Sequence, residues 1–164
     1  MAVRIREVGP PTGLRRMLFR MPIWLYRAGL GGVLGHRFLL LTHTGRRTGQ
    51  TRRAVLEVAG RDPATGGYLV ASGFGPRTQW LRNVASNPRV AVRVGWRRFA
   101  GTARILAPDD SGRAMLDYAR RHPLAARELM RLCGYRVDGS PEDYFALGRD
   151  QIPFVALVPD RPAT

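Results

Sequence analysis

The sequence contains no lysine, so all 27 of its basic residues are arginine. Schiff-base chemistry and a lysine general base are thereby excluded, while guanidinium forks that grip phosphate or carboxylate bidentately are abundant. Cysteine occurs once, at Cys133, which excludes an intrachain disulfide, a cysteine-cluster metal site and dithiol redox chemistry. Acidic residues number 12, leaving a formal charge of +15 that favours polyanionic partners. No long uninterrupted apolar run exists either. The apolar stretch near the start is broken by Arg15, Arg16, Arg20 and Arg27, so neither a membrane span nor a signal-peptide core is expected, and an intracellular, cytoplasmic protein is.

Signatures of common catalytic machinery are missing as well. His36, His43 and His122 have no metal-ligand spacing and no HExxH occurs. Ser72 in VASGFG has Val70 where a nucleophile elbow needs glycine. GRRTGQT lacks both the spacing and the lysine of a phosphate-binding Walker loop. The acid pairs Asp109 with Asp110 and Glu142 with Asp143 sit at expected helix starts, where they complement the helix dipole.

What is present reads as one domain of 164 residues. Leu14, Met17, Leu18, Met21 and Leu25 recur at helical spacing with arginines mostly off the stripe, predicting a basic amphipathic helix over 12–28. Two roles stay open for it: packing on the core, or lying on an anionic membrane surface. Residues 1–35 are taken as this helix and a glycine-rich link, part of the same unit as a 36–160 domain. Short apolar runs bounded by glycine, proline and aspartate predict strands at 37–42, 54–58 and 68–72. A hairpin connection is expected at 61–67, a short helix at 79–86 closed by Asn87 and Pro88, and a second hairpin at 90–106 turning at Gly95 and Trp96. In that hairpin Phe99, Gly101, Ala103 and Ile105 share one face. Helices follow at 109–121 and 124–133, with a third capped by Ser140, and a closing strand spans 152–158. The helices interrupt the strands without alternating with them, which predicts an α+β fold around one largely antiparallel sheet or barrel.

One stretch stands out chemically. THTGRRTGQTRR, residues 42–53, holds four arginines, four threonines and two glycines and no acid. Gly45 and Gly49 allow tight turns between two strands, so guanidinium groups, hydroxyls and backbone amides can converge on an anion. A solvated basic hairpin with incidental charge is the competing reading.

LLLTHTGRRTGQTRRAVLEV, then YLVASGFG, then QWLRNVASNPRVAVRVG resembles the deazaflavin-dependent nitroreductase and F420H2-dependent quinone reductase family, whose members resemble TGR[KR][ST]GxxR and WxxNxxxNPxVxV in that order. The resemblance covers residues 39–106 and, more weakly, the final IPFVALV. It implies a split β-barrel of FMN-binding type that binds coenzyme F420, a hydride carrier with a phosphate and a polyglutamate tail. By the same resemblance Arg46, Arg47, Thr48 and Arg52 hold the phosphate and carboxylates, Gln50 shapes the turn, and Val55 with Leu56 begins the strand under the ring. Ser72 and Gly73 fall on a second cofactor-contacting loop, although some relatives carry lysine where Gly73 stands; Arg53 and Arg77 are the spare arginines. Trp80 matches a tryptophan near the deazaflavin and substrate, with an ordinary core anchor as its alternative. Tyr144, nine residues before Pro153, matches a pocket tyrosine and is the one proton-donor candidate, although Pro141 occupies the place of its companion. The function implied is hydride transfer from reduced F420 to a small electron-poor acceptor: a quinone, an activated alkene or a nitro compound. The alternatives are a split-barrel reductase using FMN and, more remotely, a basic nucleic-acid-binding protein, for which no recognition motif is present.

Overall fold

Burial alternates along the strands at 38–44, 89–94 and 97–105, whereas those at 68–71 and 154–159 are buried on both faces along most of their length, and the side to which each buried residue turns defines two cores. A computed structural model describes residues 3–4 and 35–160. The expected 12–28 helix, with its membrane-surface role, lies outside the described residues. Val3–Arg4 forms a two-residue strand, β1, and the main sheet begins with β2, Phe38–Thr44. There follow β3 (Thr51–Glu57), β4 (Gly60–Arg61), β5 (Tyr68–Ala71), helix α1 (Gln79–Ser86), β6 (Arg89–Val94) and β7 (Arg97–Ile105). Helices α2 (Pro108–Arg121) and α3 (Pro123–Leu132), strand β8 (Tyr135–Arg136), helix α4 (Pro141–Asp150) and strand β9 (Phe154–Pro159) complete the described chain.

Seven strands form one sheet in the order β3-β2-β6-β7-β9-β5-β4, and every neighbouring pair is antiparallel. Its two edge strands, β3 and β4, are consecutive in the chain and separated only by Val58 and Ala59. A linker that short reaches about 11 Å at most, so the sheet has to curl until its edges meet. Val58 bonds back to Arg37 on one side of the seam, Ala59 bonds to Leu69 on the other, and β3 touches β5 across it. The expected α+β split barrel is therefore the architecture found.

The period of two separates the cores. Tyr68, Val70, Val155 and Leu157 join Leu39, Leu41, Val90, Val92 and Val94 inside the curl, where Leu81 and Val84 of α1 plug it. The intervening Leu69, Phe154 and Ala156 turn outward onto Met115, Tyr118 and Leu147 of α2 and α4, so β9 is buried on both faces along most of its length. Helices α2 and α4 approach closely because glycines meet there: a Cβ on Gly148 would fall 2.5 Å from Met115 Cβ and 2.5 Å from Ser111 O. The Ser111 hydroxyl accepts from Phe154 N at 3.0 Å and ties α2 to β9.

Local expectations hold where turn chemistry is explicit. The 79–86 helix has its expected bounds. Ser140 caps α4 by accepting from Asp143 N at 3.2 Å. Asp62 braces the β4–β5 turn through Thr65 Oγ1 at 2.6 Å and Arg104 Nη2 at 2.7 Å. Gly95, at φ 56°, makes the β6–β7 turn, and Trp96 beside it is 78% exposed. The expected common face of β7 ends early: Phe99 and Ala103 turn into the barrel core, whereas Ile105 is exposed.

Candidate functional site

The arginine-rich stretch forms the loop between β2 and β3, closed by Gly45 N donating to Gln50 O at 2.8 Å and Gly49 N donating to Gly45 O at 2.9 Å. Gly49 is required by its backbone conformation and Gly45 sits in a tight fit. Gly49 has φ 69°, a region side chains rarely adopt. A Cβ on Gly45 would meet Thr48 Oγ1 at 3.2 Å and Gln50 O at 3.3 Å. Thr48 Oγ1 accepts from Gln50 N at 3.3 Å, so these two residues shape the loop from within.

The loop is docked on α1, whose Leu81 and Val84 are seated in the barrel core. Arg46 makes the junction. Its backbone N–H donates to Asn83 Oδ1 at 3.2 Å, and its Nη1 donates to Asn83 Oδ1 and to Gln79 Oε1, each at 2.9 Å. Both acceptors are neutral carboxamides, so the guanidinium is positioned without losing its charge. Among the described residues Arg46, Arg47, Arg52, Arg53 and Arg82 form no ion pair; the arginines that do are Arg89, Arg104, Arg113, Arg121, Arg131 and Arg149. Desolvation, then the neighbouring cations Arg82 and Arg47, hold the Arg46 guanidinium below its ordinary pKa. Cations gathered with no intervening carboxylate are what an anion site requires.

Behind Arg46 the polar contacts continue into the protein. Asn83 Nδ2 lies 3.2 Å from His43 Nδ1, and both residues are only 5% exposed. Arginine can only donate, so Asn83 must turn its oxygen to Arg46 and its NH2 to His43; His43 Nδ1 is thus an acceptor and the ring proton sits on Nε2. Burial, reinforced by the Arg52 charge, lowers the His43 pKa to about 4. His43 pairs in register with Arg52, and Leu39 with Leu56, which puts Arg52 and Leu56 on the inward face of β3.

The remaining expected residues fall in distinct places. Leu56 packs against the barrel core; Val55, its neighbour on an extended strand, points to the opposite face. Ser72 is 1% exposed: its hydroxyl donates to Gly75 O at 2.5 Å and lies 2.7 Å from Thr78 Oγ1. With the Ser72 proton so used, the Thr78 hydroxyl donates to Ser72. Thr78 is the N-cap of α1 yet makes no side-chain cap bond, so the first-turn amides of α1 stay uncapped beside the arginine loop. Gly73 approaches Cys133, whose Sγ would sit 3.0 Å from a Cβ there, and burial pushes that thiol up to about 11. Trp80 packs against the barrel core, whereas Tyr144 is 6% exposed within the helix-side core, burial raising its hydroxyl pKa. The structure does not bring these two together. Sequence reasoning missed Asn83, Gln79, His43 and Arg82. The asparagine of WLRN was a visible signal, because its spacing from Trp80 turned it toward the arginine loop.

The family model described as F420H(2)-dependent quinone reductase matches residues 18–132. The chain belongs to the F420H(2)-dependent quinone reductase family. It is accordingly an oxidoreductase whose cofactor is coenzyme F420. An F420H(2)-dependent quinone reductase of Mycobacterium tuberculosis is 37% identical over 110 residues, covering 63% of this chain and 69% of that protein. A putative F420H(2)-dependent quinone reductase of Mycobacterium bovis matches to the same extent, 37% over 110 residues. Among solved structures, a conserved hypothetical protein of M. tuberculosis superposes with TM-score 0.54 at 19% identity, covering 82% of this chain and 80% of that one. An FMN-binding protein of Nostoc punctiforme related to pyridoxamine 5'-phosphate oxidase gives TM-score 0.51 at 15% identity, covering 92% and 83%. Those likenesses show the split-barrel fold alone. The donor set fits the family's cofactor: a loop of carboxylate-free arginines, one of them braced by carboxamides, is suited to a phosphate and a polyanionic tail. Tyr144 lies beyond the matched segment.

Proposed function

We propose that the β2–β3 loop grips the phosphate and tail carboxylates of F420 through Arg46, Arg47 and Arg52, with Arg82 adding charge from α1. The observation that carries this reading is the Arg46 guanidinium, braced by Asn83 and Gln79 and left without a carboxylate partner among the described residues. Bound reduced F420 supplies a hydride. The protein's own task is to bind and orient, which accords with a sequence without nucleophile, metal cluster or cysteine pair. Thr48 and Gln50 hold the loop's shape, and the uncapped start of α1 adds oriented amides to the same anion. The second loop enters through the backbone at Gly73, since the Ser72 hydroxyl is consumed inside its own turn. Trp80 and Leu56 line the apolar side of the site, and Val55 keeps the strand's register.

The acceptor we assign is a quinone, with activated alkenes and nitro compounds as further electron-poor substrates. The basic, apolar sequence of residues 12–28 supports attachment to an anionic membrane surface, where a lipid-soluble quinone would be met; flotation with anionic vesicles, with and without those residues, tests it. For the reaction itself, the protein is mixed with F420H2 and menadione. Tight binding and loss of the reduced cofactor's absorbance are expected, and the absence of both contradicts the assignment.

A further inference from the structure

We propose that Asn83 is a positioning residue for the cofactor: its carboxamide is held by His43 on one side and fixes Arg46 on the other. The inference rests on the reading that Arg46 binds the anionic groups of F420. The geometry is specific. Asn83 Oδ1 takes both the backbone N–H and Nη1 of Arg46, at 3.2 and 2.9 Å, while Gln79 takes Nη1 from the exposed side at 2.9 Å. Every side-chain bond of Arg46 thus falls on Nη1. Its Nε and Nη2 have no partner among the described residues, and they form the edge of the fork that meets a phosphate or carboxylate with two parallel bonds. Ordering a long side chain before the ligand arrives removes that entropy cost from binding.

Arg46 sets the direction of the amide, and His43 accommodates it. An asparagine amide can rotate to exchange oxygen and nitrogen, and a rotated Asn83 would aim an NH2 at a guanidinium that can only donate. With its proton on Nε2, the neutral imidazole accepts the remaining NH2 at Nδ1, in a site where both residues are almost fully buried. The amide is thus bonded at both ends, to buried His43 behind and to Arg46 at the loop, and Asn83 joins the two.

F420 affinity, measured by cofactor fluorescence and by calorimetry, tests this in Asn83→Leu, Arg46→Ala and the double variant, with folding checked by circular dichroism. Asn83→Leu should weaken binding about tenfold. The loss should fall on KM for F420H2 and not on kcat at saturating cofactor. In the Arg46→Ala background the same change should cost nothing further, because Asn83 acts through Arg46. Gln79→Ala, at an exposed position, carries the same cycle with a loss of about threefold should Asn83→Leu fail to fold. If Arg46→Ala weakens binding but Asn83→Leu or Gln79→Ala does not, or costs as much without Arg46 as with it, the positioning role is overturned. If Arg46→Ala itself leaves affinity unaltered, the underlying reading of the arginine loop fails first.

Discussion

Protonating His43 is the perturbation whose size follows most directly from the structure. The imidazole is held neutral by burial and by Arg52, which lowers its pKa from 6.5 to about 4. In the unfolded chain it titrates near its ordinary value, so between pH 6.5 and 4 the unfolded state binds the extra proton and the native state does not. Stability from this group is thus fully present above pH 6.5 and is lost as pH falls toward 4. At about 1.4 kcal/mol per pH unit, the whole window is worth about 3 kcal/mol, of which about 2 kcal/mol disappears between pH 7 and pH 5. That is a large share of the 5–15 kcal/mol typical of a folded domain. Protonation would in addition point an Nδ1 donor at the NH2 of Asn83. Urea denaturation at pH 7 and pH 5 on the wild type and on His43→Gln isolates the effect, since glutamine can still accept from Asn83 but does not titrate and every other group is common to both. Wild type should lose about 2 kcal/mol more than the variant over that interval. Equal losses would show that His43 titrates as in solvent, and the argument from its burial would be refuted.

Packing predictions follow from the glycines. An alanine in place of a helical glycine ordinarily gains about 1 kcal/mol, but Gly148→Ala would drive a Cβ against Met115 and Ser111 of α2. A net loss of about 1–3 kcal/mol is expected, seen as a lower melting temperature; a rise would contradict the close α2–α4 approach. Gly73→Ala should cost about 1 kcal/mol by crowding the Cys133 thiol, and Cys133→Ala should recover most of it, so additive effects in the double variant would remove the proposed contact.

Much of the fold was legible because its punctuation is chemical. Asn87–Pro88 ends α1, Ser140–Pro141 starts α4 and Gly95 turns the β6–β7 hairpin, each through a residue whose backbone preference acts locally. The arginine loop was legible for the same reason, since its glycines and charges are contiguous. What stayed hidden depends on residues distant in sequence. His43, Asn83 and Arg46 meet across 37 to 40 positions, and no local periodicity records that. The two-residue strands β1 and β8, pairing Val3 with Arg136 and Arg4 with Tyr135, are too short to carry a pattern. Tyr144 and Trp80 could be placed in one pocket on paper because sequence spacing does not reveal which side of a sheet a helix covers; α4 lies on the outer core and α1 on the inner. Val55 and Leu56 are the reverse case: the resemblance puts both under the ring, whereas the strand period alone separates them onto opposite faces.

The arginines of the β2–β3 loop are the proposed seat of cofactor binding, and the direct measurement is F420 affinity in a folded Arg46→Ala, Arg47→Ala, Arg52→Ala variant. Removing three charge-assisted contacts should weaken binding at least about 100-fold and flatten its dependence on salt. An unchanged dissociation constant in a protein with native circular dichroism would contradict that assignment.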